Sequence, residues 1–111
     1  MMPDAVARHI DDSYERSIDD LSDFLRIPSI SPVEGYAADV RRAARWLADH
    51  MKRLGIGATM YETSGHPIVY GEVHSGGGPT LMFYAHYDVT PPGRPEEWAT
   101  PPFSPVFKQG H

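Results

Sequence analysis

Thr80-Leu81-Met82-Phe83-Tyr84-Ala85, running on into His86-Tyr87-Asp88, is the stretch on which the fold turns. A strand with one face in water alternates apolar and polar residues, whereas a strand covered on both faces is apolar throughout. From Leu81 to Ala85 no residue interrupts the apolar run. The stretch therefore predicts a strand buried between layers, in a sheet with helices on both faces.

The flanks extend that reading. Gly76-Gly77-Gly78-Pro79 breaks the chain and predicts a hairpin back to a preceding strand, Ile68 to His74. Ser64-Gly65-His66-Pro67 is a turn, and before it Ala58, Met60 and Glu62 alternate with Thr59, Tyr61 and Thr63. That period of two predicts a strand with one face less buried. Further upstream the period lengthens. Val6, Ile10, Tyr14, Ile18, Leu21 and Leu25 fall in steps of three and four, predicting a helix from Asp4 to about Arg26 with one buried stripe. Pro28 ends it, and Ile27 to Pro32 is extended because residues before proline are pushed out of the helical region. A second helix is expected from Tyr36 to Leu54, with Val40, Ala43, Leu47, Met51 and Leu54 on one face and Gly55 as its left-handed cap. From Thr90 onward six prolines are interspersed with Trp98, Phe103 and Phe107. Tethers rarely carry so many aromatics, so an irregular but packed loop is expected. Two helices and three strands in this order open an α/β domain. The buried strand, however, needs more neighbours than the chain supplies.

Composition narrows the function. The chain has 111 residues, room for one small domain or part of a larger one. Its net charge of -5 argues against a nucleic-acid partner. The basic residues Arg41, Arg42, Arg45, Lys52 and Arg53 are interleaved with apolar ones, as on the solvated face of a helix. With no cysteine, disulfides and thiolate metal sites are excluded, and any metal must be held by His and carboxylates. The N-terminus lacks the pattern of a signal peptide, and no apolar run could span a bilayer. A cytoplasmic protein with no membrane partner is expected.

The sharpest chemical feature is His86-Tyr87-Asp88, where the apolar stretch runs out. In open α/β sheets ligands gather beyond the carboxyl ends of strands. Residues two apart on a strand point to one side, roughly 6.5 to 7 Å apart. Asp88 can then hold the ring and tautomer of His86, the arrangement of a metal ligand and its orienting carboxylate. A His-x-Asp alone is weak evidence.

Its surroundings make it specific. Tyr84-Ala85-His86-Tyr87-Asp88-Val89, Pro91-Pro92, Trp98 and Pro101-Pro102-Phe103-Ser104-Pro105 together resemble the first active-site segment of the M20 metallopeptidases, most closely the dipeptidase-like branch. Upstream, Phe24-Leu25-Arg26-Ile27-Pro28-Ser29-Ile30-Ser31 is similar to that family's first helix end. The helix from Ala37 to Leu54, followed by Gly55, comes in the family's order. Ala85 departs from the glycine frequent before the His but keeps a small residue there. The resemblance implies two divalent metal ions, zinc above all, bridged by an Asp and by water or hydroxide. A Glu serves as general base, and the metals polarise the scissile carbonyl.

Mapped onto this sequence, the resemblance gives His86 as a metal ligand and Asp88 as its orienting carboxylate, counted as catalytic. It implies a phosphorylase/hydrolase-like α/β fold, with residues 1–111 as the N-terminal portion of a single catalytic domain. The rest of that domain and the lid or dimerisation domain are then absent. The bridging Asp is expected shortly beyond His111, with Gln109-Gly110-His111 as the approach to it. With one secure ligand where a catalytic zinc takes three, the chain by itself is expected to be inactive. The implied parent, in the family often a homodimer, hydrolyses the amide bond of a small peptide. The alternative is deacylation or desuccinylation of an N-acyl amino acid by the same chemistry. A third, non-enzymatic reading is a truncated remnant acting only in binding or assembly.

The other candidates have plainer explanations. His9 and His50 lie on helices as surface residues, His66 sits in a turn, and His74 ends a strand. Glu62 and Glu72 lie on separate strands as solvent-facing or salt-bridging groups. Gly76-Gly77-Gly78 lacks the Lys-Ser/Thr of a phosphate loop. No serine stands in a nucleophile elbow. Arg94, Glu96 and Glu97 belong to a solvated loop tip.

Overall fold

The computed structural model describes residues 2–108; Met1 and the terminal Gln109, Gly110 and His111, where the approach to a further active-site segment was expected, lie outside the described residues. Helix α1 spans Asp4–Leu25. It begins at Pro3, whose carbonyl accepts the amides of Val6 and Ala7 at 2.9 and 3.1 Å. Helix α2 spans Ala37–Arg53, with Asp39 in its first turn and His50, Lys52 and Arg53 in its last. Both ends thus complement the helix dipole. Gly55 follows at φ 82°, a left-handed conformation that suits glycine at the end of a helix.

Strands β1 (Gly57–Tyr61) and β2 (Ile68–Glu72) form an antiparallel pair in which Thr59 faces Tyr70 and Tyr61 faces Ile68. Helix α2 packs on this sheet. The inner residues are Ala58 and Met60 of β1 with Val69 and Gly71 of β2, all half-buried. Gly71 is forced by close approach, since a Cβ there would lie 2.3 Å from Met51 Cε and 2.9 Å from Ile56 Cγ2. The core consists of Val40, Ala43, Ala44 and Ala48 from α2, with Ile27 and Ile30 from the segment after α1. Small residues on α2 bring the helix close to its neighbours, and Val40 is 0 % exposed.

The mixture of helices and strands bears out the α/β class. Three local expectations need correction. The stripe of α1 is not buried: Val6, Ile10, Tyr14, Leu21 and Leu25 are all exposed. Helix α1 touches α2 near its C-terminal end, where Phe24 stacks on Trp46 at 5.0 Å and Trp46 on His50 at 4.8 Å. On α2 itself the buried face is set by Val40, Ala43, Ala44 and Ala48, and Leu54 is exposed.

The largest difference is the stretch from Thr80 to Ala85, which forms no strand. Leu81, Met82, Phe83 and Tyr84 are 77, 85, 87 and 89 % exposed. Gly76 and Gly78 take positive φ as a turn would, but no hairpin follows. A strand exists only through its hydrogen bonds to a neighbour, and among the described residues nothing lies alongside this stretch.

The surface area expresses the same fact. The chain exposes 9080 Å², against about 6,100 Å² for a compact monomer of its mass. Its radius of gyration is 16.6 Å, where a closed domain of this length has about 13 Å. Among the described residues no helix is long and apolar enough to cross a membrane.

Candidate metal-ligand segment

The segment after the exposed stretch is well tied down, by residues distant in sequence. Ile30 and Val89 form an isolated parallel bridge. Around it the Val89 amide donates to the Ser29 carbonyl at 2.9 Å, and the Ser31 amide donates to the Val89 carbonyl at 3.3 Å. The buried Ser29 adds its hydroxyl, donating to the Tyr87 carbonyl at 3.0 Å. The Tyr87 hydroxyl in turn donates to the Pro67 carbonyl at 2.6 Å. Three pieces of chain therefore meet here: the turn after α1, the β1–β2 connection, and residues 87–89. Proline accounts for the first, because Pro28 stops α1 and leaves the next residues extended and free to pair.

Within this frame His86 and Asp88 come together as the two-residue spacing predicts. The Nδ1 of His86 lies 3.1 Å from Asp88 Oδ1 and 3.0 Å from the Asp88 carbonyl oxygen. Both partners are acceptors, so Nδ1 carries the hydrogen and a neutral ring keeps its lone pair on Nε2. That is the tautomer in which an imidazole binds a metal through Nε2. The His86 side chain is 76 % exposed, which leaves it open to an incoming group.

Asp88 divides its oxygens. Oδ1 faces His86, while Oδ2 accepts the Ser31 hydroxyl at 2.5 Å. The Ser31 bond is the main reason the Asp88 carboxyl is held below its ordinary range; partial burial pushes the other way, and its own backbone amide and His86 add smaller pulls downward. Ser31 is itself held, because His66 Nε2 donates to the Ser31 carbonyl at 2.9 Å. Burial, with the nearby Asp88 charge, raises the Tyr87 phenol.

The remaining candidates stay apart from this pair. Glu62 accepts both guanidinium nitrogens of Arg41, at 2.6 and 2.7 Å. Glu72 accepts the Tyr70 hydroxyl at 2.7 Å and faces His74 Nε2 at 3.1 Å. His50 stacks on Trp46, and Arg94 pairs with Glu97. Among the described residues no group of three or more His, Cys, Asp or Glu side chains could hold a metal ion.

The proline-rich tail packs only in part: Phe103 is half-buried, but Trp98 and Phe107 are exposed. Trp98 Nε1 donates to the Pro92 carbonyl at 2.9 Å. The tail closes one wall of a cleft of about 620 Å³ whose other wall includes Phe24, Ile27 and Tyr87. Ser31 and His66 were not singled out by sequence as site residues. Ser31 stands 57 positions from Asp88, and no local pattern links the two. The available signal was its place at the end of the Ile27–Ser31 motif.

The class these features resemble is the M20 metallopeptidase family of hydrolases, and the relatives of this chain support it. The relatives that carry the assignment are two proteins named succinyl-diaminopimelate desuccinylase. That of Methylorubrum extorquens is 35% identical over 91 residues, covering 78% of this chain and 22% of the relative. That of Pelagibacter ubique is 29% identical over 93 residues, covering 80% of this chain and 23% of the relative. The chain thus spans less than a quarter of the length of the curated relatives it matches. No family model matches it, and no solved structure does.

Proposed function

We propose that this chain is the N-terminal portion of the catalytic domain of a metal-dependent hydrolase, in which His86 is a metal ligand and Asp88 its orienting carboxylate. The substrate is an N-acyl amino acid, with an N-succinyl amino acid as the leading class. The observation that carries the reading is the pairing of His86 Nδ1 with Asp88 Oδ1 at 3.1 Å. It leaves Nε2 as the one nitrogen able to bind a metal.

The reaction class is supported by the relatives' names, which favour removal of a succinyl group over the dipeptide hydrolysis first expected from the sequence. The partial-domain reading is supported by the excess surface of the chain and by its share of the relatives' length. A cytoplasmic location belongs to the same proposal.

The donor set fits one ligand of a metal site, not a site. When bound, a pair of divalent ions, zinc above all, supplies Lewis-acid activation of the amide carbonyl and of water. This chain's own contribution is narrower. Asp88 accepts the Nδ1 hydrogen of His86 and fixes the ring, and Ser29, Ser31 and Tyr87 hold the segment in place.

Two experiments test the proposal. Calorimetric titration of the 111-residue chain with zinc, beside His86→Ala, is expected to show no tight stoichiometric uptake. Tight uptake lost on His86→Ala would mean that this chain completes a site by itself. The second replaces the aligned segment of the Methylorubrum desuccinylase with residues from this chain and assays succinyl-amide hydrolysis. Activity abolished by His86→Ala and reduced by roughly 10–100-fold by Asp88→Asn is the expected result. A folded chimera indifferent to both substitutions would refute the roles given to them.

A further inference from the structure

We infer that Ser31 is a positioning residue, which with His66 behind it fixes the Asp88 carboxylate and through it the metal-binding tautomer of His86 before any metal is present. The inference rests on the proposed function only for what His86 does; the arrangement itself is read from contacts. Asp88 has two oxygens and two different partners, the His86 ring at 3.1 Å on Oδ1 and the Ser31 hydroxyl at 2.5 Å on Oδ2. A carboxylate bonded on one oxygen alone turns about its terminal torsion, which is broad and poorly defended. Bonded on both, it has one orientation. Ser31 is thus the second point that fixes the plane from which Asp88 meets the ring.

Ser31 can do this because its own backbone is fixed from two sides. Its amide donates to the Val89 carbonyl at 3.3 Å, one residue from Asp88. Its carbonyl accepts His66 Nε2 at 2.9 Å, from the β1–β2 connection. The hydroxyl that reaches Asp88 is therefore anchored to the sheet as well as to the segment it serves. His66 is assigned by the same logic: its partner is a carbonyl, so Nε2 must carry the hydrogen. The contacts form one line, from His66 through Ser31 and Asp88 to His86, and its last unengaged nitrogen is His86 Nε2. A series of this kind holds each member in one orientation. Neither Ser31 nor His66 would touch substrate or metal; each acts through the next residue along.

The test is the tautomer of His86 in the metal-free 111-residue chain, read from nitrogen-15 shifts and ring couplings at about pH 8.5, where an ordinary histidine is neutral. The wild-type chain is expected to hold the hydrogen predominantly on Nδ1. Ser31→Ala should reduce that predominance without abolishing it, since the Asp88 carbonyl at 3.0 Å still accepts the Nδ1 hydrogen, while the amide shifts of α2 and β1 stay in place. Ser31→Thr, which keeps the hydroxyl, should restore it. His66→Ala should give a smaller loss in the same direction.

A Ser31→Ala chain with the wild-type tautomer overturns the inference. So does one that loses the amide pattern of α2 and β1, since Ser31 would then hold the fold rather than position a carboxylate. The readout needs neither metal nor substrate. A wrong hydrolase assignment would leave these results unchanged, and a failure here would leave that assignment standing.

Discussion

Two apolar stretches of this chain have met opposite fates. On α2, Val40, Ala43, Ala44 and Ala48 are buried, and the helix packs on β1 and β2. From Leu81 to Tyr84 an equally apolar run lies in solvent, at least 77 % exposed. The difference is not hydrophobicity. A helix satisfies its backbone internally and needs only one neighbour for its apolar face. A strand needs partners along its edges before its faces can be covered, and those partners are elsewhere in sequence by construction. Helix α2 finds the β1–β2 hairpin within 20 residues of its end. Leu81–Tyr84 finds no partner among the described residues.

The same substitution placed in both regions should sharpen the contrast most. Val40→Asp puts an unpaired charge into a fully buried position and should cost about 3–5 kcal/mol, enough to abolish cooperative thermal unfolding in so small a core. Met82→Asp should change the melting midpoint by less than the equivalent of about 0.5 kcal/mol. Equal effects at the two positions, followed by circular dichroism, would mean that the exposed stretch is covered in solution.

Glycine gives the next largest difference. Gly71→Ala drives a methyl into Met51 and Ile56 and should destabilise by about 1–2 kcal/mol, because Met51 can give way at its flexible end. Gly77→Ala meets open space and should be nearly neutral in the same melt.

The exposed run also carries two unused strand edges and no charge between Thr80 and Ala85. Such a stretch pairs with whatever edge it meets. Light scattering of the 111-residue chain should show association that rises with concentration, and Phe83→Lys should suppress it. A clean monomer at high concentration would break the comparison from the other side.

The smallest effect belongs to the surface of the ordered unit. Arg41 bonds Glu62 and thereby lowers its carboxyl, against a weaker upward push from burial. A carboxyl lowered by folding adds stability above its ordinary 4.5 and loses it as pH falls through the folded value. The melting difference between the chain and Glu62→Gln should accordingly be slight at neutral pH, vanish in acid, and shrink with salt.

Both helices, the two paired strands and the Gly55 cap were legible because each rests on a local pattern: a period or a terminator. The His86–Asp88 contact was legible for the same reason, two residues on one side of an extended chain. The burial of the α1 stripe was expected from apolar spacing and that of Leu81–Tyr84 from residue type, and both give a tendency to be covered without supplying the cover. Ser31 and His66 were not foreseen as part of the site. They lie 57 and 22 positions before Asp88 in the chain, and only the Ile30–Val89 bridge and the β1–β2 turn bring them to it.

The sequence by itself determined the two helices and the paired strands β1 and β2, that no thiolate can take part, and which imidazole and carboxylate form the pair. Those follow from covalent geometry and near-neighbour sterics, which act over a few residues. The tertiary structure alone decided which apolar faces are covered and which hydroxyl fixes the carboxylate. Both depend on contacts across tens of residues, where the entropy of closing the chain is offset only when several bonds form together. At the Ile30–Val89 crossing they do; along Leu81–Tyr84 nothing among the described residues is there to bond.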